Sequence, residues 1–361
     1  MKFQPLTVRV FKKILVPFAI FFTAVLLLDI CFPFKFNIPY STQILDQEGK
    51  IIHAFLSKDE KWRLHIDAQE IIPLLQTTLI HKEDKYFHYH FGINPFAILR
   101  AAGSNFLSGK RLSGASTITM QVVRLIQPNK RTYTNKIVEA WRAIQLELHY
   151  SKSEILQLYL NLVPYGGNIE GIKAASLLYF GKNPQLLSLG EITLLTIIPN
   201  RPSSLRPDGQ NVALKLARDQ WLSKFGSTQL FTQEMIDNAR DEPVTMYRRA
   251  APASAPHLAE RLRREYPNTH VLHTSLRSNI QHQIEEQVSN YIKPLRSLNI
   301  HNAAVLVINN ETMQVEAYVG SADFNNRYDG GQVDGIRAIR SPGSTLKPIL
   351  YGIGFDLGII T

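Results

Sequence analysis

Cysteine is almost absent: Cys31 is the only one in 361 residues. That excludes an intramolecular disulfide framework and any four-cysteine metal site. No internal repeat is present, which speaks against a solenoid or a propeller. The chain is 45% hydrophobic and 19% charged, so it can bury a core and is neither disordered nor collagen-like. Its length suggests roughly two domains. Acid is in short supply, because 30 Asp and Glu face 40 Lys and Arg, a formal net charge of +10. Such a balance points to an anionic partner, with nucleic acid, phosphate-bearing lipid and a membrane surface all open.

The N-terminus narrows the choice. Met1 to Lys13 carries Lys2, Arg9, Lys12 and Lys13 and no acid, and from Ile14 to Phe34 the only charge is Asp29. A run of about 20 apolar residues is long enough to cross a bilayer. Positive charge before the run places residues 1–13 in the cytoplasm and the bulk of the chain outside. A cleavable signal peptide needs a shorter apolar region and a small-x-small site, and "LLLDICFPF" offers none. Bulky Ile30 before Cys31 disfavours a lipoprotein site. Residues 14–34 are therefore expected to form an uncleaved signal-anchor. For an exported chain, anionic lipid is a better partner than nucleic acid.

Beyond the anchor, "STQILDQEGKIIHAF" reads as two short strands around Glu48-Gly49-Lys50. From about Ile66 the pattern turns helical, first around Pro73 and then over Leu112–Ile126, Lys136–His149 and Ser153–Val163, with Thr117 and Ser151 as caps. Two more short helices end at Gly181 and at a Pro-rich loop, and "ALKLARDQWLSKF" continues helical. Residues 45–225 thus read as one mainly α domain. "DEPVTMYRRAAPASAPH" is Pro/Ala/Arg-rich and reads as linker or extended chain. A helix at "SNIQHQIEEQVSNYI", a hairpin around Asn309-Asn310-Glu311 and the helical "SPGSTLKPILYGIGF" follow, too little for a stable second domain.

Several constellations carry chemistry. In "EDKYFHYHFG", Glu83 and Asp84 are adjacent carboxylates beside His81, His88 and His90. Three readings stand: an exposed helix end, a general acid or base framed by Phe87 and His90, or a metal site through His88-x-His90. In "GASTITMQVVR", Thr117, Gln121 and Arg124 share a helix face that suits a sugar or phosphate, or is an ordinary capped helix. Lys136, Glu139 and Arg142 recur at three-residue spacing, with Glu147 about two turns beyond Glu139. Between Ile93 and Lys152 nine basic residues oppose only Glu139 and Glu147, a local +7. Isolated carboxylates in a basic segment suggest an anionic leaving group such as a pyrophosphate, and a basic face toward anionic lipid explains the same charge. "NPFAILRAAGSNFLSGKRLSG" mixes Phe96, Ile98, Leu99, Phe106 and Leu107 with Arg100, Lys110 and Arg111, as a segment in the membrane interface or a loosely packed core helix does. Finally, Ser344 and Lys347 form S-x-x-K, in which the amine can activate the hydroxyl. The S-x-N and K-T-G elements that such an acyl-transfer site needs downstream are missing from the 14 residues after Lys347, and Ser297-Leu298-Asn299 lies upstream.

Together these segments resemble the class A penicillin-binding proteins, bifunctional peptidoglycan synthases. "EDKYFHYHFG" is similar to the family's E-D-x-x-F-x-x-H-x-G, "GASTITMQ" to G-x-S-T-I-x-x-Q, and "EILQLYLN" to a later helix motif. The stretch at Pro164-Tyr165-Gly166-Gly167 and "WRAIQLELHYSKSEILQLYLN" look closer to the 1C type than to the 1A or 1B types. The family's R-K-x-x-E motif falls on Asn135-Lys136-Ile137-Val138-Glu139, so its arginine is replaced by Asn135. Arg124, Lys136 or Arg131 would have to cover for it.

The resemblance implies a mainly α, lysozyme-like family 51 glycosyltransferase domain over 45–225 after one N-terminal transmembrane helix. A linker region over 226–300 and the incomplete start of an α/β penicillin-binding transpeptidase domain over 301–361 would follow. It implies polymerisation of lipid II into β-1,4-linked glycan with release of undecaprenyl pyrophosphate. Glu83 would take the proton of the acceptor 4-hydroxyl, Glu139 would orient or balance the cations, and Arg124 and Lys136 would stabilise the leaving group. Asp84, Phe87, His90, Thr117 and Gln121 would shape the substrate site. Ser344 would be the transpeptidase nucleophile with Lys347 as its base, with transpeptidase activity expected to be absent from this chain. No tightly bound cofactor or metal is expected, with a divalent cation, Mg or Mn, as an optional companion of the pyrophosphate. The implied partners are lipid II, lipid-linked glycan, the membrane and other cell-wall synthesis proteins, and no nucleic acid. The implied location is the inner membrane, single-pass, with the catalytic domain on the periplasmic side. The alternatives are a non-catalytic membrane-anchored scaffold, a penicillin-reactive acyltransferase if the chain is a fragment, and a peptidoglycan hydrolase.

Overall fold

The computed structural model describes residues 23, 26–108, 116–130, 132–200, 208–209 and 212–360. The expected tail 1–13 and most of the expected span 14–34 lie outside the described residues, as does Arg131. Among the described residues no helix is long and apolar enough to cross a membrane. The chain divides into two compact units, residues 1–41 with 55–251, and residues 42–54 with 252–361.

The first unit is helical. Helix α1 (Pro73–Glu83) begins at its proline rather than running through it, since proline lacks an N–H and fits only the first turn. Helix α2 (Pro95–Ser108) leaves Phe96, Ile98 and Leu99 exposed. Helix α3 (Ile118–Ile126) starts later than its apolar spacing suggests, because Thr117 stays extended and accepts a hydrogen bond from the Met120 N–H as N-cap. Helices α4 (Tyr133–His149) and α5 (Lys152–Leu162) follow, the latter opened by a capping box of Ser151 and Glu154. Both pack against α3. Strands β3 (Pro164–Gly166) and β4 (Ile169–Glu170) form a small antiparallel pair, and β5 (Asp208–Gly209) pairs with β6 (Met246–Tyr247) in another. A short helix α6 (Ile172–Ala175) runs into a π-turn that Gly181 ends at φ +70°.

Helix α7 (Leu189–Ile197) is buried along its length and packs against α1 and α8 (Val212–Ser227). With α9 (Gln233–Asp241) these helices bury Leu189, Leu222, Phe225, Ile236 and Ala239. Arg218 on α8 is 1% exposed, and its buried guanidinium is satisfied: Asp219 accepts from its Nε, while the carbonyls of Arg240 and Glu242 accept from Nη2 and Nη1. It thereby satisfies carbonyls at the end of α9, which have no partner within the helix. Residues 26–31 are also helical and dock on α4. Asp29, the one charge of the apolar run, accepts hydrogen bonds from Gln145 Nε2 (2.8 Å) and pairs with His149 Nε2 (2.8 Å). Arg142 donates to the Phe32 carbonyl (2.7 Å).

The second unit is built on a three-stranded sheet in the order β2 (Ile51–Ala54), β1 (Gln43–Leu45), β7 (Val271–His273). The β1–β2 turn falls at the expected glycine, Gly49 at φ +80°. The parallel partner β7 lies in the region read as linker. That region also holds α9, α10 (Pro256–Glu265) and α11 (Ser278–Leu295), so residues 226–300 are largely ordered helix and strand. The expected hairpin forms as β8 (Val305–Ile308) and β9 (Val315–Val319), and β9 packs on α11. Helix α12 (Lys347–Asp356) closes the chain, with Ile349, Leu350, Tyr351, Ile353 and Phe355 all exposed.

Candidate active site

Glu83 ends α1 with its side chain only 10% exposed. Its Oε2 accepts from Gln121 Nε2 at 3.2 Å, and its Oε1 pairs with Lys82 Nζ. The fully buried Tyr159 and Tyr165 stand nearby on α5 and β3. Burial first, and then the charge of Glu83, push both phenols well above their ordinary range, so both stay neutral. They form an uncharged wall beside the carboxylate.

Asp84, one residue on, has the opposite fate. The backbone leaves the helix there (φ −158°), and Asp84 Oδ2 accepts from the Ile118 N–H (3.0 Å) and pairs with His90 Nε2 (2.9 Å). Two adjacent carboxylates are thus sorted: Asp84 ties α1 to the start of α3, and Glu83 faces Gln121. His90 is spent on Asp84, and among the described residues no three His, Cys, Asp or Glu side chains converge as metal ligands. Phe87 is buried under the Lys152 ammonium, 4.5 Å from its ring centre. Lys152 also donates to the His90 carbonyl (2.7 Å) and to Glu147 Oε1 (2.6 Å). Glu147 accepts from Thr119 as well, so it supports this frame and does not join Glu139.

Thr117 Oγ1 donates to the Gly92 carbonyl at 2.6 Å, locking the loop after His90 onto α3. Gly92 sits at φ +74°, and a Cβ there would lie 2.7 Å from the Ala143 carbonyl oxygen. Only glycine fits both the angle and the approach. Gly92→Ala is expected to cost about 2–4 kcal/mol, combining left-handed strain with a backbone clash. Thermal unfolding would show this as a clear drop in Tm. An unchanged Tm would mean the loop moves freely and does not brace the site.

The second half of the site lies one turn along α3. Arg124 grips Glu139 of α4 with two hydrogen bonds, Nε to Oε2 (3.1 Å) and Nη2 to Oε1 (2.6 Å). Lys136 Nζ donates to the same Oε1 (2.9 Å). Ser116 Oγ, a residue the sequence reading passed over, accepts from Lys136 (2.8 Å) and from Arg124 (3.3 Å). Two cations thus share one carboxylate, leaving a net positive charge. Arg124 is 33% and Lys136 40% exposed while Glu139 is 12%, so the cations face solvent and the acid lies beneath. Such a layout suits an anion with several oxygens. Asn135 does not take part, since its Nδ2 donates to the Lys130 carbonyl (2.8 Å). Arg142, in spacing with Lys136 and Glu139, turns instead to Phe32 and Gln145.

Glu83, Gln121, Arg124, Lys136 and Glu139 are therefore brought together along α3. Asp84, Phe87, His90 and Thr117 form the buried frame behind them. Ser344 and Lys347 belong to the second unit, in a 3₁₀ turn (Gly343–Leu346) and at the start of α12, both exposed.

A family model described as Transglycosylase matches residues 48–225. Penicillin-binding protein 1C of Escherichia coli K12 is 38% identical over 320 residues, 88% of this chain and 41% of that protein. Penicillin-binding protein 1A of the same strain is 32% identical over 263 residues, 69% of this chain and 30% of its own. Penicillin-binding protein 1B of Haemophilus influenzae is 32% identical over 322 residues, 82% of this chain and 40% of its own. The chain spans about two fifths or less of each of these relatives. The higher identity to a 1C protein agrees with the resemblance read at Pro164–Gly167 and along α4 and α5. With a transglycosylase domain over residues 48–225 and these relatives over most of its length, the chain belongs to the class A penicillin-binding proteins.

Proposed function

We propose that the chain polymerises lipid II into β-1,4-linked glycan and releases undecaprenyl pyrophosphate. The observation that carries this reading is the pairing on α3. A nearly buried carboxylate, Glu83, is held by Gln121, and one turn away two half-exposed cations, Arg124 and Lys136, converge on Glu139. Glu83 accepts the proton of the acceptor's 4-hydroxyl as that oxygen attacks C1 of the lipid-linked glycan. The C1–O bond to the pyrophosphate breaks, and its electron pair leaves on the phosphate oxygen. Arg124 and Lys136 stabilise the charge that develops there, and Glu139 fixes both cations beforehand so that they need not reorganise. Both oxygens of Glu139 are engaged with Arg124 and Lys136, and those of Glu83 with Gln121 and Lys82. All four carboxylate oxygens already face protein donors, and no step here is routed through a divalent cation.

The substrate is a lipid, and several features support a membrane setting. The exposed Phe96, Ile98 and Leu99 of α2 suit the bilayer interface. Basic residues precede the apolar run 14–34, which we read as a single-pass inner-membrane anchor with the catalytic unit on the periplasmic side. Asp29 then pins the end of that anchor to α4. The direct test is incubation of the detergent-solubilised chain with lipid II, followed by separation of polymer. Polymer supports the reading. A folded chain that makes none favours the scaffold reading instead.

A further inference from the structure

Lys82 has no part in the reaction as derived above, and its surroundings are unusual for a lysine. Its side chain is 1% exposed, at the end of α1 immediately before Glu83. The ammonium touches Glu83 Oε1 and stands 5.4 Å from the centre of the Trp221 ring on α8. A lysine next to an acid on a helix normally points into water and contributes little. This one is withdrawn from water at the cost of its hydration and offset chiefly by one carboxylate and one aromatic face.

We propose that Lys82 is a positioning residue for the base, its ammonium clamping Oε1 of Glu83 against Trp221 so that Oε2 is left to Gln121 and the incoming hydroxyl. The inference rests on the reading of Glu83 as the proton acceptor. Its physical content is a division of labour between the two carboxylate oxygens. Oε1 is paired with a buried cation, and Oε2 has only the weaker amide at 3.2 Å, which an acceptor hydroxyl can join or displace. The cation also supplies the counter-charge that a carboxylate needs near the buried Tyr159 and Tyr165.

The groups around this pair come from several elements. Lys224 of α8 lies 4.3 Å from the Trp221 ring centre, Gln121 comes from α3, and Tyr159 and Tyr165 come from α5 and β3. His81 and Lys85 flank the pair on its own segment. Burial, opposed by Glu83 and aided by Lys224, holds the Lys82 ammonium below the ordinary lysine range. The clamp therefore loses its charge at a lower pH than a free lysine would, and activity falls with it on the alkaline side.

The test compares the full chain with Lys82→Met and Lys82→Arg in lipid II polymerisation across pH. Lys82→Met should lower kcat about tenfold to a hundredfold, with the KM for lipid II close to the parent's, as expected for a misplaced base. Lys82→Arg should restore most of kcat, and its alkaline limb should move to higher pH because a guanidinium keeps its proton. A merely structural lysine would show neither the limb shift nor the rescue. Parental rate and pH profile in Lys82→Met would overturn the inference, as would Lys82→Arg failing as badly as Lys82→Met while melting like the parent. A second readout does not depend on turnover. The infrared carboxylate band that disappears in Glu83→Gln should shift in Lys82→Met, and an unshifted band also overturns the clamp. A parent that makes no polymer counts against the glycosyltransferase reading alone, because the band still decides the role of Lys82.

Discussion

Glu83→Gln should abolish glycan polymerisation. The amide has the shape of the carboxylate but cannot accept a proton, so the acceptor oxygen has to attack as a neutral hydroxyl. A positioned general base contributes about 10²–10⁴ in rate, and a loss of that size is expected in kcat. The equivalent barrier is about 3–5 kcal/mol. The substitution has a second, separable consequence. Lys82 is 1% exposed and loses its counter-ion when Glu83 becomes neutral. Removing one partner of a buried ion pair commonly costs about 3–5 kcal/mol, so a lower Tm should accompany the lost activity. The two effects are told apart by assaying well below the variant's own Tm. Glu83→Gln that is folded and still polymerises within a few-fold of the parent would remove Glu83 from the chemistry. Asp84→Asn should act differently, because Asp84 is buried and ties Ile118 and His90 together, so its loss should appear mainly as instability.

Much of this arrangement is legible in the sequence because it is local. The caps at Thr117 and Ser151, the turn at Gly49 and the hairpin around Asn309 follow from residues within a few positions of each other, and each forms. Gln121 and Arg124 share a face because helical spacing dictates it. What the sequence hides is set by distant partners. Nothing near Gln43–Leu45 announces its parallel pairing with Val271–His273, which draws that strand into the second unit. Arg142 has the spacing of a third member of the cation cluster, yet the docking of residues 26–31 on α4 gives it the Phe32 carbonyl instead. Lys82 stands unremarked beside Glu83 in the sequence, and only the packing of Trp221 against the end of α1 makes the two a buried ion pair. Ser116 is a serine like many others until two cations are seen to converge on its hydroxyl.

Arg124→Ala should produce the second large effect, and the way it divides between kcat and KM decides what the cation cluster does. Asn135 stands where the family motif has arginine, and its side chain is turned to the Lys130 carbonyl. On the proposed mechanism the leaving group is therefore left, among the described residues, to Arg124 and Lys136. Arg124 holds both oxygens of Glu139 in a fork that lysine cannot reproduce. Removing it takes away one cation and leaves Glu139 paired with Lys136 alone, so the net positive charge toward the pyrophosphate is lost. A loss of about 10²–10³ in kcat is expected if the cluster is preorganised for the departing charge. Arg124→Lys should recover only part of that, since a point charge keeps the attraction and loses the geometry. The rival is that the cluster binds the pyrophosphate equally in the ground state and the transition state. Then KM for lipid II would rise with kcat unchanged, and the acceleration would have to come from Glu83 alone. Asn135→Arg separates these further. If a missing arginine limits the rate, restoring it should raise kcat in the parent and partly rescue Arg124→Ala. If Arg124 and Lys136 already suffice, it should do neither, because the side chain at position 135 is turned to the Lys130 carbonyl and not to Glu139.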